Sequence, residues 1–483
     1  MAKSPAKHRV LHVASESYPL IKTGGLADVV GALPLALDAT GALKSTVFLP
    51  GFPTVIEGLT DIKTYAKTQA LDGTPVRLIS GQTQTGLSVI AAQCDPLFGY
   101  AGNPYLNADG TERAGNGLAF ASFSKLAAEV AIGTGRRKGF DVLHAHDWQA
   151  GLAAAYLQIA GADVRTIFTI HNLAFQGLFA RDLLRHIDLP DTVFHEDGLE
   201  YWGQLSFLKS GLVYSDWITT VSPTYALEIQ MDDGGMGFAG LLRKRADRLR
   251  GILNGVDQTV WDPNTDTDIA APYSATHRAH KIKNKRALQQ TLGLSPDASG
   301  PLFTIISRLT GQKGVDLVPD LLDGLIARGG QLALIGSGDR AIEQAFLDAQ
   351  SAHPDHISIT IGYNEPFAHQ LQAGADAILI PSRFEPCGLT QLCAMRYGTL
   401  PVTSRVGGLM DTVIGATPAT LASNAATGVT FHPVGPHMLW AAIDQTLSLY
   451  AQTPVWDAMV DRAMAQDFGW TLPAQDYLSL YLS

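Results

Sequence analysis

Short apolar runs recur along the chain, each followed by a glycine or polar turn and then by a longer segment in which apolar residues return every third or fourth position. Val10 to Ser15 is the first such run. FDVLHAHDW from Phe140, RTIFTIHN from Arg165, WITTVS from Trp217, LFTIISR from Leu302, QLALIGSGD from Gln331 and DAILIPS from Asp376 follow. Runs this short, bounded by turn residues and alternating with helical periodicity, predict βαβ units around parallel sheets. The same pattern occurs in both halves of the chain.

Between Asn254 and His277 the pattern lapses into NGVDQTVWDPNTDTDIAAPYSATH, rich in Asp, Thr, Pro and Asn, which suits a surface connection. Helical periodicity resumes at His280 with HKIKNKRALQQTLGL. The expected organisation is a domain over 1–253, a second over 254–465, and a C-terminal helix, 466–483, returning to the first. The expected fold class is α/β, with two Rossmann-like, doubly wound domains facing each other across a cleft where the carboxyl ends of both strand sets converge. No fixed-period repeat, low-complexity tract or heptad array is present. The basic segment RKRADRLR from Arg243 reads as a solvated helix face at least as well as a binding patch.

Composition narrows the functions this architecture can host. At 483 residues the chain is long enough for two cores, and 46% hydrophobic against 17% charged residues is a globular balance. A net charge of −10 works against a broad nucleic-acid surface, so an anionic substrate must meet a local cluster of cations. Three cysteines, Cys94, Cys387 and Cys393, without C-x-x-C spacing suit a reducing compartment. Lys3, Lys7 and Arg9 precede a segment whose Glu16 and Lys22 interrupt any signal-like apolar run, and no uncharged stretch is long enough to span a bilayer. A cytoplasmic protein with no membrane or nucleic-acid partner is expected; oligomeric state leaves no mark.

Three segments carry candidate chemistry. KTGGLADVVGALPLAL, from Lys22, places Gly24 and Gly25 ahead of a helix whose free N–H groups face the loop, beside a cation. This is an anion site or an ordinary βα corner. In SRLTGQKG a strand ends in Arg308, and Lys313 follows in a glycine-bounded loop. The two cations either stabilise a diphosphate leaving group or are solvated surface charges. In PSRFEPCGLTQLCAMRYGTLPV, Glu385 precedes a turn at Pro386 and Gly388 and a helical stretch from Leu389 to Tyr397. The carboxylate is placed to accept sugar hydroxyls while N–H groups near Gly388, Leu389 and Thr390 receive phosphate, or it only complements the helix dipole.

These segments, together with HAHDWQAGL, TIHNLAFQG, ILNGVD, IGYNEPFAHQL and YGTLPVTSRVGGLMDTV, resemble the signature blocks of bacterial glycogen synthases and plant starch synthases in order and spacing over nearly the whole chain. The resemblance implies a GT-B glycosyltransferase that moves glucose from ADP-glucose, with retention, to the non-reducing-end 4-hydroxyl of an α-1,4-glucan such as glycogen, releasing ADP. No metal and no cofactor are implied. Carried over by position, Lys22, Gly24 and Gly25 contact the donor diphosphate, and Arg308 and Lys313 neutralise departing ADP. Glu385, Cys387, Gly388 and Leu389 hold the donor glucose, with Thr390 at the phosphate end. His171, in its TIHN context with Asn172, binds the transferred glucose. Asp28 and Asp147 lie toward the acceptor, Asn254 near the donor and Tyr363 beside adenine, while GSGD at Gly336 to Asp339 lines the nucleotide pocket or is a plain βα turn.

Two departures from the family pattern stand out. Cys393 stands where many retaining GT-B enzymes have a second Glu, and Gly99 and Tyr100, within PLFGYAGNPYLNADG, stand where Asp and Arg are expected. The alternatives to this activity are a UDP-sugar-using GT-B transferase, a phosphorylase with pyridoxal phosphate on a lysine, and a glucan-binding scaffold that has lost catalysis.

Overall fold

In the computed structural model, which describes residues 8–107, 110–135 and 137–483, each apolar run named above lies on a strand. Lys3, Lys7 and residues 108–109 of the PLFGYAGNPYLNADG segment lie outside the described residues. The chain divides into two compact units, one running to Gly255 and including Trp470–Ser483, the other Val256–Gly469.

The first unit contains β1 (His8–Val13), β2 (Leu43–Pro50), β3 (Thr60–Gln69), β4 (Pro75–Gln82), β5 (Ser88–Gln93), β6 (Val142–His146), β7 (Arg165–Ile170), β8 (Leu178–Ala180), β9 (Glu200–Tyr201), β10 (Gln204–Ser206), β11 (Trp217–Thr220) and β12 (Leu249–Gly251). Nine of them form one sheet in the order β12-β11-β7-β6-β1-β2-β5-β4-β3, and β8, β10 and β9 make a small antiparallel sheet. Pairing is parallel from β12 to β5 and antiparallel through β4 and β3. The antiparallel extension carried no clear apolar run, because β3 is an edge strand whose side chains are mostly exposed. The central strands are the reverse: β6 is buried along its whole length, as a strand covered on both faces must be.

Helix Thr471–Leu482 completes this unit. Its Tyr477 and Tyr481 are buried with Trp470 and Ala474 in a cluster that also holds Val10, Leu33, Leu37, Val142 and Ile167. The chain leaves β12 through Ile252, which is in the same cluster, and reaches Gly255, where an added Cβ would lie 2.9 Å from the Trp470 ring.

The second unit is a six-stranded, wholly parallel sheet of β13 (Leu302–Ile306), β14 (Gln331–Gly336), β15 (Ile357–Ile361), β16 (Ala377–Ile380), β17 (Leu400–Ser404) and β18 (Val429–Phe431), ordered β15-β14-β13-β16-β17-β18. Helix Lys281–Leu292 stops at Gly293, whose φ of 69° closes the last turn. Buried Lys285 fixes that helix to the sheet by an ion pair with Asp376, 2.6 Å long.

One expectation requires correction. The polar segment after Asn254 is not a loose surface connection, since Asp266, Ile269 and Tyr273 are buried. Asp266 Oδ2 accepts from Tyr397 Oη at 2.5 Å and pairs with His369 Nδ1 at 2.7 Å, and Trp261 stacks on His369, so the segment's polar groups are satisfied inside the unit. In the basic segment, Arg245 donates to the carbonyls of Leu212, Val213 and Ser215 at the end of helix Phe207–Tyr214, while Arg243 and Lys244 pair with Asp232 and Asp197. These cations cap and pin rather than form a patch. Among the described residues no helix is long and apolar enough to cross a membrane.

Candidate active site

In the parallel part of each large sheet the strand order reverses once, between β13 and β16 in the second unit and between β1 and β6 in the first. Parallel α/β sheets open a crevice at the carboxyl ends of the strands flanking such a reversal, because the following connections leave toward opposite faces. Most of the sequence-predicted residues follow these four strands, while His171 and Asn172 follow β7, Asn254 follows β12 and Tyr363 follows β15.

After β13 the chain turns through Arg308 to Lys313, and after β16 through Pro381 to Thr390. These two loops are bolted together. Arg383 makes a two-point bond to Asp316 (2.6 and 2.8 Å) and donates to Gly311 O, and Gln312 O accepts from Arg383 N. Gly314 has φ 65°, and a Cβ there would lie 1.9 Å from Pro381 O, so no other residue permits this approach. The result places Lys313 Nζ 2.7 Å from Glu385 Oε2, which also accepts from Ser382 Oγ at 2.9 Å. Glu385 is 5% exposed, so its charge is held by these two donors and not by water. Arg308 is exposed, its guanidinium 3.5 Å from Gln312 Oε1.

The turn after Glu385 keeps Cys387 buried and gives Gly388 a φ of 72°, and helix Thr390–Arg396 begins directly after Leu389. Cys393, within that helix, packs in the unit's apolar core, so a carboxylate at this position would be buried among hydrocarbon. Glycines of the GSGD segment abut the β13 loop: a Cβ at Gly336 or Gly338 would lie 2.1 Å from Ser307 O or 2.3 Å from Leu309 O. Asp339 caps helix Arg340–Ala352 through Ala341 N. Tyr363, after β15, is 60% exposed and its hydroxyl donates to Glu365 at 2.6 Å.

In the first unit the loop after β1 carries Lys22, whose Nζ is 2.9 Å from Asp28 Oδ1, joining two residues that were assigned to different ends of the substrates. Gly24 caps helix Gly25–Ala39. Glu16, 2% exposed, accepts from Thr23 N, from Thr23 Oγ1 at 2.6 Å and from Tyr105 Oη. Burial raises its carboxyl pKa against the pull of those donors. After β6, Asp147 adopts φ 54° and its Oδ1 accepts from His171 N at 2.7 Å. Burial pushes the Asp147 carboxyl up to about 7, opposed by backbone donors at His171 and Asn172. The His171 ring bonds to His146 Nδ1 at 3.0 Å, Asn172 Oδ1 accepts from Ala174 N, and Asn254 Oδ1 is buried without a hydrogen-bond partner among the described residues. Asn254 belongs to this unit.

Residues 9–244 match the starch synthase catalytic domain family, and residues 294–455 match the glycosyl transferases group 1 family. A glycogen synthase from Rhodopseudomonas palustris (strain BisB18) is 49% identical over 98% of this chain and 96% of its own length. One from Methylocella silvestris is 47% identical over 98% of each chain. The chain belongs to the glycogen synthase family. Its fold is that of the catalytic domain of starch synthase IV from Arabidopsis thaliana, solved bound to ADP and acarbose, with 31% identity over 99% of each chain and a TM-score of 0.90. Sucrose-phosphate synthase from Thermosynechococcus elongatus, at 18% identity and a TM-score of 0.61, shares the fold. The chain is therefore a glycosyltransferase with the two-domain α/β layout of the GT-B class.

Several residues of the site escaped the sequence reading. Glu16 shows in the sequence only as a charge breaking an apolar run; it stands eight residues before Gly24, and its bonds to Thr23 and Tyr105 appear only in the fold. His12, His144 and His146 meet because β1 and β6 pair His12 with His144 and strand alternation returns His146 to the same face. Their ligand atoms lie within 4.8 Å of one another, but both nitrogens of His144 are engaged, by Tyr481 Oη and Thr169 Oγ1, which argues against a metal there. Arg383 is one charge inside PSRFEPCGLTQL with no local mark of its role, which depends on Asp316 and Gly311 far away in sequence. At the departures, a Cβ on Gly99 would lie 2.7 Å from Asp95 backbone atoms, and Tyr100 donates to Pro104 O while the Arg113 guanidinium stacks on its ring at 3.7 Å.

Proposed function

We propose that this glycosyltransferase takes glucose from ADP-glucose, transfers it with retention to the terminal 4-hydroxyl of an α-1,4-glucan and releases ADP. The observation that carries the reading is the Lys313–Glu385 pair at the strand reversal of the second unit, with Arg308 on the same loop. Breaking the bond between the anomeric carbon and the diphosphate leaves charge on the departing oxygen, and fixed cations stabilise it as it develops. Arg308 and Lys313 supply that charge. Glu385, anchored by Ser382, accepts from hydroxyls of the donor glucose, and the turn at Cys387, Gly388 and Leu389 holds the sugar, with Thr390 toward phosphate. Tyr363 offers an exposed aromatic face to adenine.

The first unit contributes the Lys22, Gly24 and Gly25 loop to the diphosphate and His171 to the transferred glucose. Asp28 and Asp147 serve the acceptor side and Asn254 the donor, and Asn172, beside His171, also contacts substrate. Incoming glucan displaces ADP on the same face of the sugar, so the acceptor proton leaves with the diphosphate oxygen and no base on the opposite face is needed. The test is ADP release by purified protein given glycogen, with ADP-glucose and UDP-glucose in parallel. Transfer from ADP-glucose well ahead of UDP-glucose supports the reading. Equal use of both donors overturns the nucleotide assignment, and glycogen binding without transfer from either overturns catalysis.

A further inference from the structure

β6 delivers His146 and, one residue later, Asp147, and the two hold His171 from opposite directions. Asp147 Oδ1 accepts from the His171 backbone N–H, and His146 Nδ1 lies 3.0 Å from the His171 ring nitrogen Nε2. His146 is fully buried, and its other nitrogen, Nε2, has no hydrogen-bond partner among the described residues. A proton on that Nε2 would be an orphaned buried N–H, whereas a proton on Nδ1 is donated to His171. The lower-energy arrangement therefore has His146 as donor and His171 Nε2 as acceptor. Each neutral imidazole has one proton, so His171 then carries its own on Nδ1, the ring nitrogen not committed to His146.

We propose that His146 is a positioning residue for the glycosyl transfer, fixing the ring orientation and tautomer of His171 so that its Nδ1–H is the donor offered to the transferred sugar. The proposal rests on the assignment of His171 to that sugar. Burial holds the imidazoles of both residues on the neutral side, His171 down to about 3 and His146 well below its usual value, so each keeps a single proton at neutral pH. A protonated pair would place two N–H groups against one another across the 3.0 Å contact.

Three substitutions of His146 and one of His171 test it, each read as kcat and KM in glucose transfer from ADP-glucose to glycogen. In His146→Asn the side-chain amide occupies the place of Nδ1 and can still donate, in His146→Gln it reaches the place of Nε2 instead, and His146→Leu fills the volume without a donor. His146→Asn is expected to keep kcat within about 3-fold, while the Gln and Leu variants lose on the order of 10- to 100-fold in kcat with little change in KM, the scale of a misaligned contact. Should the Leu variant fail to fold, the Asn and Gln pair decides by itself.

His171→Ala separates the two readings. If it loses at least 100-fold while all three His146 variants stay near wild type, or while Asn is no better than Gln, the positioning role is overturned and the role of His171 stands. If His171→Ala itself keeps full turnover, the assignment of His171 falls first. Imidazole ¹⁵N shifts of histidine-labelled protein, with His171→Ala identifying the resonance, are expected to report a proton on His171 Nδ1. A proton on Nε2 overturns the tautomer.

Discussion

Truncating Lys313 separates two roles that one residue holds. Its ammonium is 2.7 Å from Glu385, with side-chain exposures of 20% and 7%. Breaking a buried ion pair from one side costs about 3–5 kcal/mol because the remaining charge is stranded. Here water reaches a fifth of Lys313 and Ser382 still donates to the carboxylate, so Lys313→Ala is expected to cost about 2–3 kcal/mol, or roughly 4–12 °C in the melting of a unit this size. Lys313→Ala is thus not neutral toward the fold. Glu385→Gln added to Lys313→Ala removes the stranded charge and is expected to recover about 1–2 kcal/mol, a coupling that two independent sites would not show. Turnover should behave differently: Lys313→Ala loses on the order of 10²- to 10³-fold, and the double variant recovers none of it. Calorimetric unfolding and ADP release are measured on the same four proteins. Strictly additive stability losses would refute the ion pair, and recovery of turnover in the double variant would show that Lys313 only neutralises Glu385.

Arg308→Ala is the cleaner electrostatic probe, since Arg308 is exposed: kcat should fall on the order of 10²-fold with the melting temperature within about 2 °C, and unchanged turnover would remove Arg308 from the diphosphate site. Asp147 has its folded pKa raised to about 7, above the unfolded value of about 3.9. The native state therefore keeps a proton that the unfolded chain releases, and stability falls as pH rises through that window by up to ~1.4 kcal/mol per pH unit. Asp147→Asn retains the acceptor for His171 N and suits the φ of 54°, so melting curves from pH 4 to 8 should flatten relative to wild type; parallel curves would refute the buried-proton reading. Gly314→Ala drives a Cβ to 1.9 Å from Pro381 O at positive φ, and should abolish transfer while lowering the melting temperature by several degrees; a wild-type variant would mean the two loops are not in contact. Removing the chain from Thr471 onward uncovers the cluster around Tyr477 and Tyr481 and should leave the protein aggregated on expression, whereas a soluble, cooperatively melting product would show that the helix is dispensable.

Local pattern carried a great deal of this molecule. The strands that form the middle of each sheet, from Val10, Val142, Leu302 and Ala377, are buried over nearly their whole length, His12, His144 and His146 included, and the short runs of mostly apolar residues that such burial demands are written directly into the sequence. Glycines at 314 and 388 mark loops whose backbone must adopt positive φ, and the cations were visible because Arg308 stands just past a strand end and Lys313 in the glycine-bounded loop after it. Strand order itself is not local. That β13 lies beside β16 and β1 beside β6 depends on which chain segments pair across long separations, and only that pairing brings Lys313 to Glu385 and His12 to His144. Burial also decided what composition misread. Asp266 looks like a loop residue until Tyr397 and His369 close on it, and Arg245 looks like a surface charge until the end of helix Phe207–Tyr214 needs a donor. His146 followed the same rule, since a histidine's role depends on which atom faces each nitrogen, and that is a property of three-dimensional contact that no run of residue types contains.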